Sequence, residues 1–324
     1  QAYKHFENMY QNVGYPVSLS RASYWAGRAS EASHNQDIAK KWYNIAAKHT
    51  TTFYGQLAYV KAHGKNAKLV FPEKPEMGML KKNSAKITEL LSATYILESS
   101  EQSKLAQIFL KAALEYVKHP SEMAYIGQFG LNANRNNFAV IAGKAALTKG
   151  VILLDHGWPT TKHMPEKIEV EKPFALAIIR QESLFDQNAM SHAKAMGLMQ
   201  LLPSTAKQEA GDLGLSYRNS YLLSKPQYNI ILGTHYLGGL VDKWNGSYIL
   251  AIASYNAGAG NARKWVNRYK DPREMKNTYE VIDWIESIPF GETRNYVQRV
   301  LENIQVYRSK LKSGNIGIEG DLLR

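Results

Sequence analysis

Apolar residues along most of this chain return every three or four positions, the period of a helix with one buried face. Tyr24, Trp25, Arg28, Ala29 and Ala32 mark one such helix. Ala39, Trp42, Tyr43, Ala46 and Ala47 mark its partner, with Asn35-Gln36 between them, and Phe53 to Ala58 opens a third. Small residues alternating with large aromatics suit the close stacking of paired helices, so residues 1–76 are expected to be α-superhelical. A simple bundle is the alternative. Pro72, Pro75 and Gly78 break the pattern. From Met79 it resumes, and residues 77–152 are expected to form a helical linker domain. Ile87, Leu90, Leu91, Tyr95 and Leu97 carry one apolar face; Leu105, Phe109, Ala112, Ala113 and Tyr116 carry another, with His119-Pro120 as that helix's end. Trp158-Pro159 and Met164-Pro165 form the next loop, at the start of a third unit, residues 153–324. No strand alternation appears, so the predicted class is all-α.

One helix carries a residue that its face does not explain. In the run from Phe174 to Glu182, Phe174, Ile178 and Glu182 fall at i, i+4 and i+8, beside Ala175 and Ile179. A carboxylate there sits on the apolar stripe. Burial disfavours the ionised form and raises the pKa, and a carboxylic acid kept protonated near neutrality can act as a general acid. The plain alternative is a helix-end Glu reaching solvent or a cation.

Charge narrows the partners. Lys and Arg total 40 against 28 Asp and Glu, a formal net charge of +12. That favours a polyanion: nucleic acid, anionic lipid or an acidic wall polymer. No dense Lys/Arg block singles out nucleic acid. The chain has no cysteine, which removes disulfides, thiol nucleophiles and Cys-based zinc sites. No apolar run reaches the length of a membrane span. The opening Gln1-Ala-Tyr-Lys-His lacks signal-peptide character, as expected of either a cytosolic protein or a mature, trimmed chain.

Four segments then stand in order: Glu182-Ser183-Leu184-Phe185 continuing to Gly197; Gly197-Leu198-Met199-Gln200; Ser254-Tyr255-Asn256-Ala257-Gly258; and Glu286-Ser287-Ile288-Pro289 continuing through Glu292-Thr293-Arg294 to Tyr296-Val297. Any one alone is weak. The ordered set resembles the catalytic domain of the soluble lytic transglycosylases, the lysozyme-like enzymes that cleave bacterial peptidoglycan. The resemblance covers residues 165–308; Asn229 to Gly233 and Tyr236-Leu237 are similar to that family's intervening helix. The upstream paired helices resemble the family's helical superhelix and linker less specifically. Leu202 stands where the family often has Met, Ser254 where it often has Ala, and Lys194 where it usually has Gly. The last puts that turn in doubt, since Gly there serves a positive φ.

The resemblance implies a lyase with one catalytic carboxyl. Glu182 protonates the oxygen between N-acetylmuramic acid and N-acetylglucosamine, then takes a proton from the C6 hydroxyl that closes a 1,6-anhydro ring. It further implies substrate contacts from Ser191, Met199, Gln200, Leu202, Tyr255, Asn256, Glu286 and Tyr296. For Met199 and Leu202 the alternative is core, and for Glu286 an ion pair with Arg294. No cofactor and no metal are implied; the nine His are scattered, and His192 and His235 read as packing or surface residues. Implied partners are peptidoglycan glycan strands, with cell-wall synthesis or divisome proteins as candidates, and the implied compartment is the periplasm.

Other readings stay open at this stage. Gly258-Ala259-Gly260-Asn261-Ala262-Arg263 lacks the third glycine and preceding strand of a nucleotide loop. A goose-type hydrolytic lysozyme would need a second carboxylate, for which Asp186 is nearest in sequence. A wall-binding scaffold without turnover, and a nucleic-acid-binding solenoid resting on charge alone, complete the set. A chain starting near residue 155 is expected to keep some cleavage of short glycans.

Overall fold

The structure, a computed structural model, describes residues 1–73, 75, 84–312 and 314–324. Gly78, Met79 and the expected boundary at 76/77 lie outside them. The described residues form helices: α1 Ala2–Gln11, α2 Pro16–Ala32, α3 Gln36–Ala47, α4 Phe53–His63, α5 Ala85–Ser99, α6 Ser103–Glu115, α7 Pro120–Asn132, α8 Asn136–Thr148 and α9 Leu154–Gly157. They continue with α10 Lys172–Ser183, α11 Pro203–Asp212, α12 Tyr221–Ser224, α13 Pro226–Lys243, α14 Tyr248–Ala257, α15 Ala259–Tyr269, α16 Thr278–Glu286, α17 Gly291–Lys310 and α18 Ile318–Leu322. The only β pairing among them is two isolated bridges, Met190 with Met196 and Met196 with Leu201. The all-α expectation therefore holds.

Local signals set many helix starts. Proline opens α2, α7, α10, α11 and α13, where its missing N–H costs nothing. Thr52 caps α4 by accepting from the Gly55 amide, and Asn277 caps α16 by accepting from Glu280. The reading of His119-Pro120 needs correction. Helix α6 already ends at Glu115, and the dipeptide starts α7, with the Glu122 carboxylate accepting from the Lys118 and His119 amides. The α6 face is also shifted. Ala106, Leu110, Ala113 and Leu114 are buried, whereas Leu105 and Tyr116 are exposed, as is Tyr95 on α5. Apolar residues surround more than half of these helices, so period alone does not choose the stripe that packs.

The paired helices of the first part do not form a separate core. Tyr24, Tyr43, Phe53, Tyr54 and Leu57 join one apolar cluster with Phe174 and Ile178 of α10, Ile249 of α14 and Val297 and Leu301 of α17. Helices α5–α8 hold a second cluster around Ile87, Leu110, Met123 and Phe138. A third, small cluster of Met196, Leu201, Ala206, Leu222 and Leu232 lies under the loop that follows α10. Helices α10 and α17 pack along each other, bringing the end of one beside the start of the other.

Candidate active site

Helix α10 is buried along nearly its whole length, and its second-last residue is Glu182. The chain then turns sharply. Leu184 and Phe185 both take left-handed backbone, φ +52° and +68°, which costs side-chain-bearing residues on the order of 1 kcal/mol each. The Ser183 hydroxyl meets the Ile179 and Leu198 carbonyls at 3.1 and 2.8 Å, tying this turn to the Gly-Leu-Met-Gln segment. Farther back, buried Arg180 donates to the Gly157 carbonyl at 2.7 Å and to Asn303 at 3.0 Å, and its guanidinium lies 4.4 Å from the Trp158 ring centre. It anchors the helix that carries Glu182.

Glu182 is half-buried. Tyr296, from the second turn of α17, donates its hydroxyl to Glu182 Oε1 at 2.5 Å. Burial pushes the carboxyl up to about 7; the Tyr296 bond opposes this, and the negative Glu292 nearby adds to it. Glu182 thus holds a proton near neutrality, has a hydroxyl partner and, among the described residues, has no ion-pair partner. Tyr255 lies close enough for the Glu182 charge to raise its own pKa, and it donates to the Met199 carbonyl at 2.7 Å.

The loop opposite is built around Asn229 of α13. Its amide accepts from the Met199 N–H at 2.8 Å and donates to the Met196 and Leu222 carbonyls at 2.9 and 3.2 Å. Gly197 (φ +77°) admits this: a Cβ there would stand 2.4 Å from Asn229 Nδ2 and 2.3 Å from the Leu222 carbonyl. Gly233 opens the socket for Met199, whose sulfur would lie 2.4 Å from a Cβ.

The expected substrate-contact residues separate on this frame. Glu182, Tyr296 and Tyr255 come together. Gln200, half-buried at φ +47°, donates to the Ala189 and Gly197 carbonyls, and Leu202 is exposed at the start of α11. Ser191 accepts from the Ala195 amide at 3.0 Å in the turn where Lys194 reaches φ +63°. That turn adopts the conformation for which glycine was expected, with lysine in its place. Asn256 accepts from the Thr293 hydroxyl at 2.6 Å, joining α14 to α17.

Two expectations are corrected. The Met199 side chain is fully buried in the Gly233 socket, and its carbonyl accepts from the Tyr255 hydroxyl. The Glu286 carboxylate is spent on Arg21, the Tyr54 hydroxyl and Gln298 Nε2, the last at 2.7 Å. Arg21 and Tyr54 come from α2 and α4, so Glu286 fastens the first part of the chain to the last; Arg294 Nε is farther, at 4.0 Å. His235 pairs with Glu209 at 2.6 Å, and His192 is exposed. Asp186 is tied to Arg135 and Gln107 at 3.9 and 3.4 Å. Among the described residues no group of three or more His, Asp or Glu comes together as a metal site.

Sequence reasoning missed Glu302. This residue of α17 is buried and accepts from the Phe53 amide at 2.6 Å, with Arg299 2.9 Å away. Burial pushes it up to about 7, against the pull of Arg299 and the Phe53 amide. The signal was available: Val300, Leu301 and Ile304 flank it just as apolar residues flank Glu182.

Comparison with known proteins bears on the same segments. Residues 161–278 match the family model of the transglycosylase SLT domain, and residues 287–315 that of the soluble lytic transglycosylase helical domain. A putative soluble lytic murein transglycosylase of Haemophilus influenzae is 44% identical over 136 residues, 42% of this chain and 22% of that protein. The soluble lytic murein transglycosylase of Escherichia coli K12 is 35% identical over 141 residues, 43% of this chain and 21% of that protein. The chain thus spans about a fifth of the length of these curated relatives. Two solved structures share the fold over 94% of this chain. The 70 kDa soluble lytic transglycosylase of Escherichia coli aligns with a TM-score of 0.71 at 23% identity over 47% of its chain. An inactive Glu-to-Gln mutant of the lytic transglycosylase Slt from Pseudomonas aeruginosa aligns with a TM-score of 0.72 at 25% identity over 48% of its chain. With Glu182 at the end of α10 and the motif segments around it, this part of the chain is similar to the transglycosylase SLT domain and to soluble lytic murein transglycosylases.

Proposed function

We propose that this protein is a peptidoglycan lytic transglycosylase in which Glu182 serves first as acid and then as base. The observation that carries the reading is the Glu182 carboxyl itself: half-buried, pushed up to about 7, and hydrogen-bonded among the described residues by Tyr296 alone. Protonated Glu182 gives its proton to the glycosidic oxygen between N-acetylmuramic acid and N-acetylglucosamine. The substrate's 2-acetamido group stabilises the cation that develops at C1. Ionised Glu182 then removes the C6 hydroxyl proton as that oxygen closes on C1. The nucleophile is tethered, so effective molarity replaces an activated water and a second carboxylate. Asp186, held by Arg135 and Gln107, is not needed for this chemistry.

Tyr255, Tyr296, Gln200, Leu202, Ser191 and Asn256 are proposed to line the glycan groove, Met199 through its backbone. Residues 1–76, 77–152 and 153–324 are proposed as helical region, linker and catalytic unit, the first two governing access. The proposed compartment is the periplasm, where a +12 chain meets a carboxylate-bearing wall. Among the described residues no helix is long and apolar enough to cross a membrane. The deciding experiment digests purified peptidoglycan and weighs the new ends. Ends carrying 1,6-anhydro-N-acetylmuramic acid, lighter by one water than reducing ends, support the reading; reducing ends assign a hydrolase instead.

A further inference from the structure

A cavity of about 270 Å³ opens where the start of α2 meets α8, α10 and α17. Tyr15, Val17, Leu147 and Trp158 give it apolar walls. Lys144 of α8, Arg180 of α10 and Arg299 of α17 give it a cluster of cations. This is not the groove of the proposed acid. Successive residues of a helix are about 100° apart, so Arg180 and Gln181, which line the cavity, face a side of α10 roughly 150° from Glu182.

The charges of the cavity do not balance. Against the three cations its lining has one carboxylate, Glu302. Both Glu302 oxygens are occupied, one by the Phe53 amide at 2.6 Å and the other by Arg299 at 2.9 Å. The acceptors of Arg180 are uncharged: the Gly157 carbonyl and the Asn303 side chain. Lys144 stands exposed, with neither a hydrogen bond nor an ion pair among the described residues. The surrounding protein lowers its pKa, and the charges of Arg180 and Arg299 lower it further. An adjoining hollow, which shares Pro16, Thr51, Leu147 and Thr148, adds Lys48, His49 and Lys149 and no carboxylate. At least two positive charges are thus in excess. Cations crowded without counter-charge cost free energy, and so does apolar surface left in water, here exposed Tyr15 and Val17. One molecule offsets both costs if it carries a doubly charged anionic head on an apolar body.

We propose that this cavity is a second ligand site, separate from the glycan groove, for an organic phosphate monoester with an aryl or short alkyl body. The phosphate lies against Lys144 and Arg180, and the body against Val17 and Leu147. An occupant touches α2, α8, α10 and α17 at once, so binding stabilises the fold. Glu182 takes no part, and the site stands apart from the transglycosylase reading. Calorimetry and thermal melting of the full chain with phenyl phosphate, inorganic phosphate and benzyl alcohol test it. Phenyl phosphate should bind at one site and raise the melting temperature. Inorganic phosphate should bind at least about tenfold more weakly, the size expected for losing a buried ring, and benzyl alcohol more weakly again. Lys144→Gln and Val17→Asp, each confirmed folded by its own melt, should lose about tenfold in affinity for phenyl phosphate, as expected for a lost charge-assisted bond and a repelling wall. Lys144→Arg should retain the affinity. Glu302→Gln, which removes the one negative charge and frees Arg299, should bind severalfold more tightly. Glu182→Gln should bind as wild type does. No binding by folded wild type overturns the proposal, as does an unchanged affinity in both Lys144→Gln and Val17→Asp. Equal binding of inorganic phosphate overturns the organic ligand, and loss of binding in Glu182→Gln moves the ligand into the groove and overturns the second site.

Discussion

Glu182 and Glu302 are two carboxyls in one molecule, each pushed up to about 7 by burial. Their surroundings differ. Glu302 is closed in between α4 and α17, where the Phe53 amide and Arg299 occupy its oxygens. Glu182 stands half-buried at a helix end, with one tyrosine hydroxyl and, among the described residues, no ion-pair partner. A raised pKa therefore does not identify a catalytic acid; a raised pKa with access and a free route for the proton does. In the proposed mechanism the first carboxyl exchanges its proton, whereas the second holds two parts of the chain together.

The sharpest way to break this contrast is to neutralise each carboxyl in turn. Glu182→Gln should fold normally and lose about 10²–10⁴ in rate or more, since one group serves both steps. Glu302→Gln should keep turnover within about threefold, because the side-chain amide oxygen can still accept from the Phe53 N–H. Muropeptide release measured on both variants checks the pair. Equal losses would erase the distinction.

The junction that Glu302 occupies sharpens the contrast further. A chain starting near residue 155 lacks Phe53, Tyr54 and Leu57, each buried against the second half. Each such side chain contributes about 1.5–3 kcal/mol by burial, so the loss rivals a domain's whole stability. This revises the expectation of residual cleavage. The truncated chain should show no cooperative melting, and a sharp transition in calorimetry would show that the first part is dispensable for folding.

Glu302 also makes stability depend on pH. Its carboxyl holds its proton more tightly in the folded chain than in the unfolded one, so the folded state gains protons between the two pKa values. The stability it lends is complete below about 4.5 and is lost as pH rises to about 7, by on the order of 3 kcal/mol. Glu182 contributes with the same sign. Denaturant melts from pH 4 to pH 8 should show a falling midpoint in wild type, and a shallower fall in Glu302→Gln. An identical slope in that variant would mean that Glu302 stays ionised.

The smallest effect belongs to Glu292, whose charge raises the Glu182 pKa. Because the first step needs protonated Glu182, kcat/KM should fall about tenfold per pH unit above about 7. Glu292→Gln removes the neighbouring charge and should move that limb to lower pH. Tyr296→Phe removes the bond that lowers the pKa and should move it to higher pH while slowing turnover. pH–rate profiles of the two variants check the opposed directions.

Much of this protein was legible in order along the chain. The helical class, the pairing of α2 with α3, and Glu182 on an apolar stripe all follow from period and residue type, which are local. So does the recognition of the four segments, since their order and spacing are properties of sequence. What lay beyond reach is where faces meet. Whether Glu286 points into the groove or to Arg21 and Tyr54, residues more than two hundred positions away, depends on how α16 docks against α2 and α4. Whether Met199 lines the groove depends on the socket that Gly233 leaves in another helix. The same apolar flanks surround Glu182 and Glu302, and only packing gave one an opening and the other an arginine. Local pattern determines which side chains are buried; the choice between a working carboxyl and a structural one is made by the partners that tertiary contact brings to its oxygens.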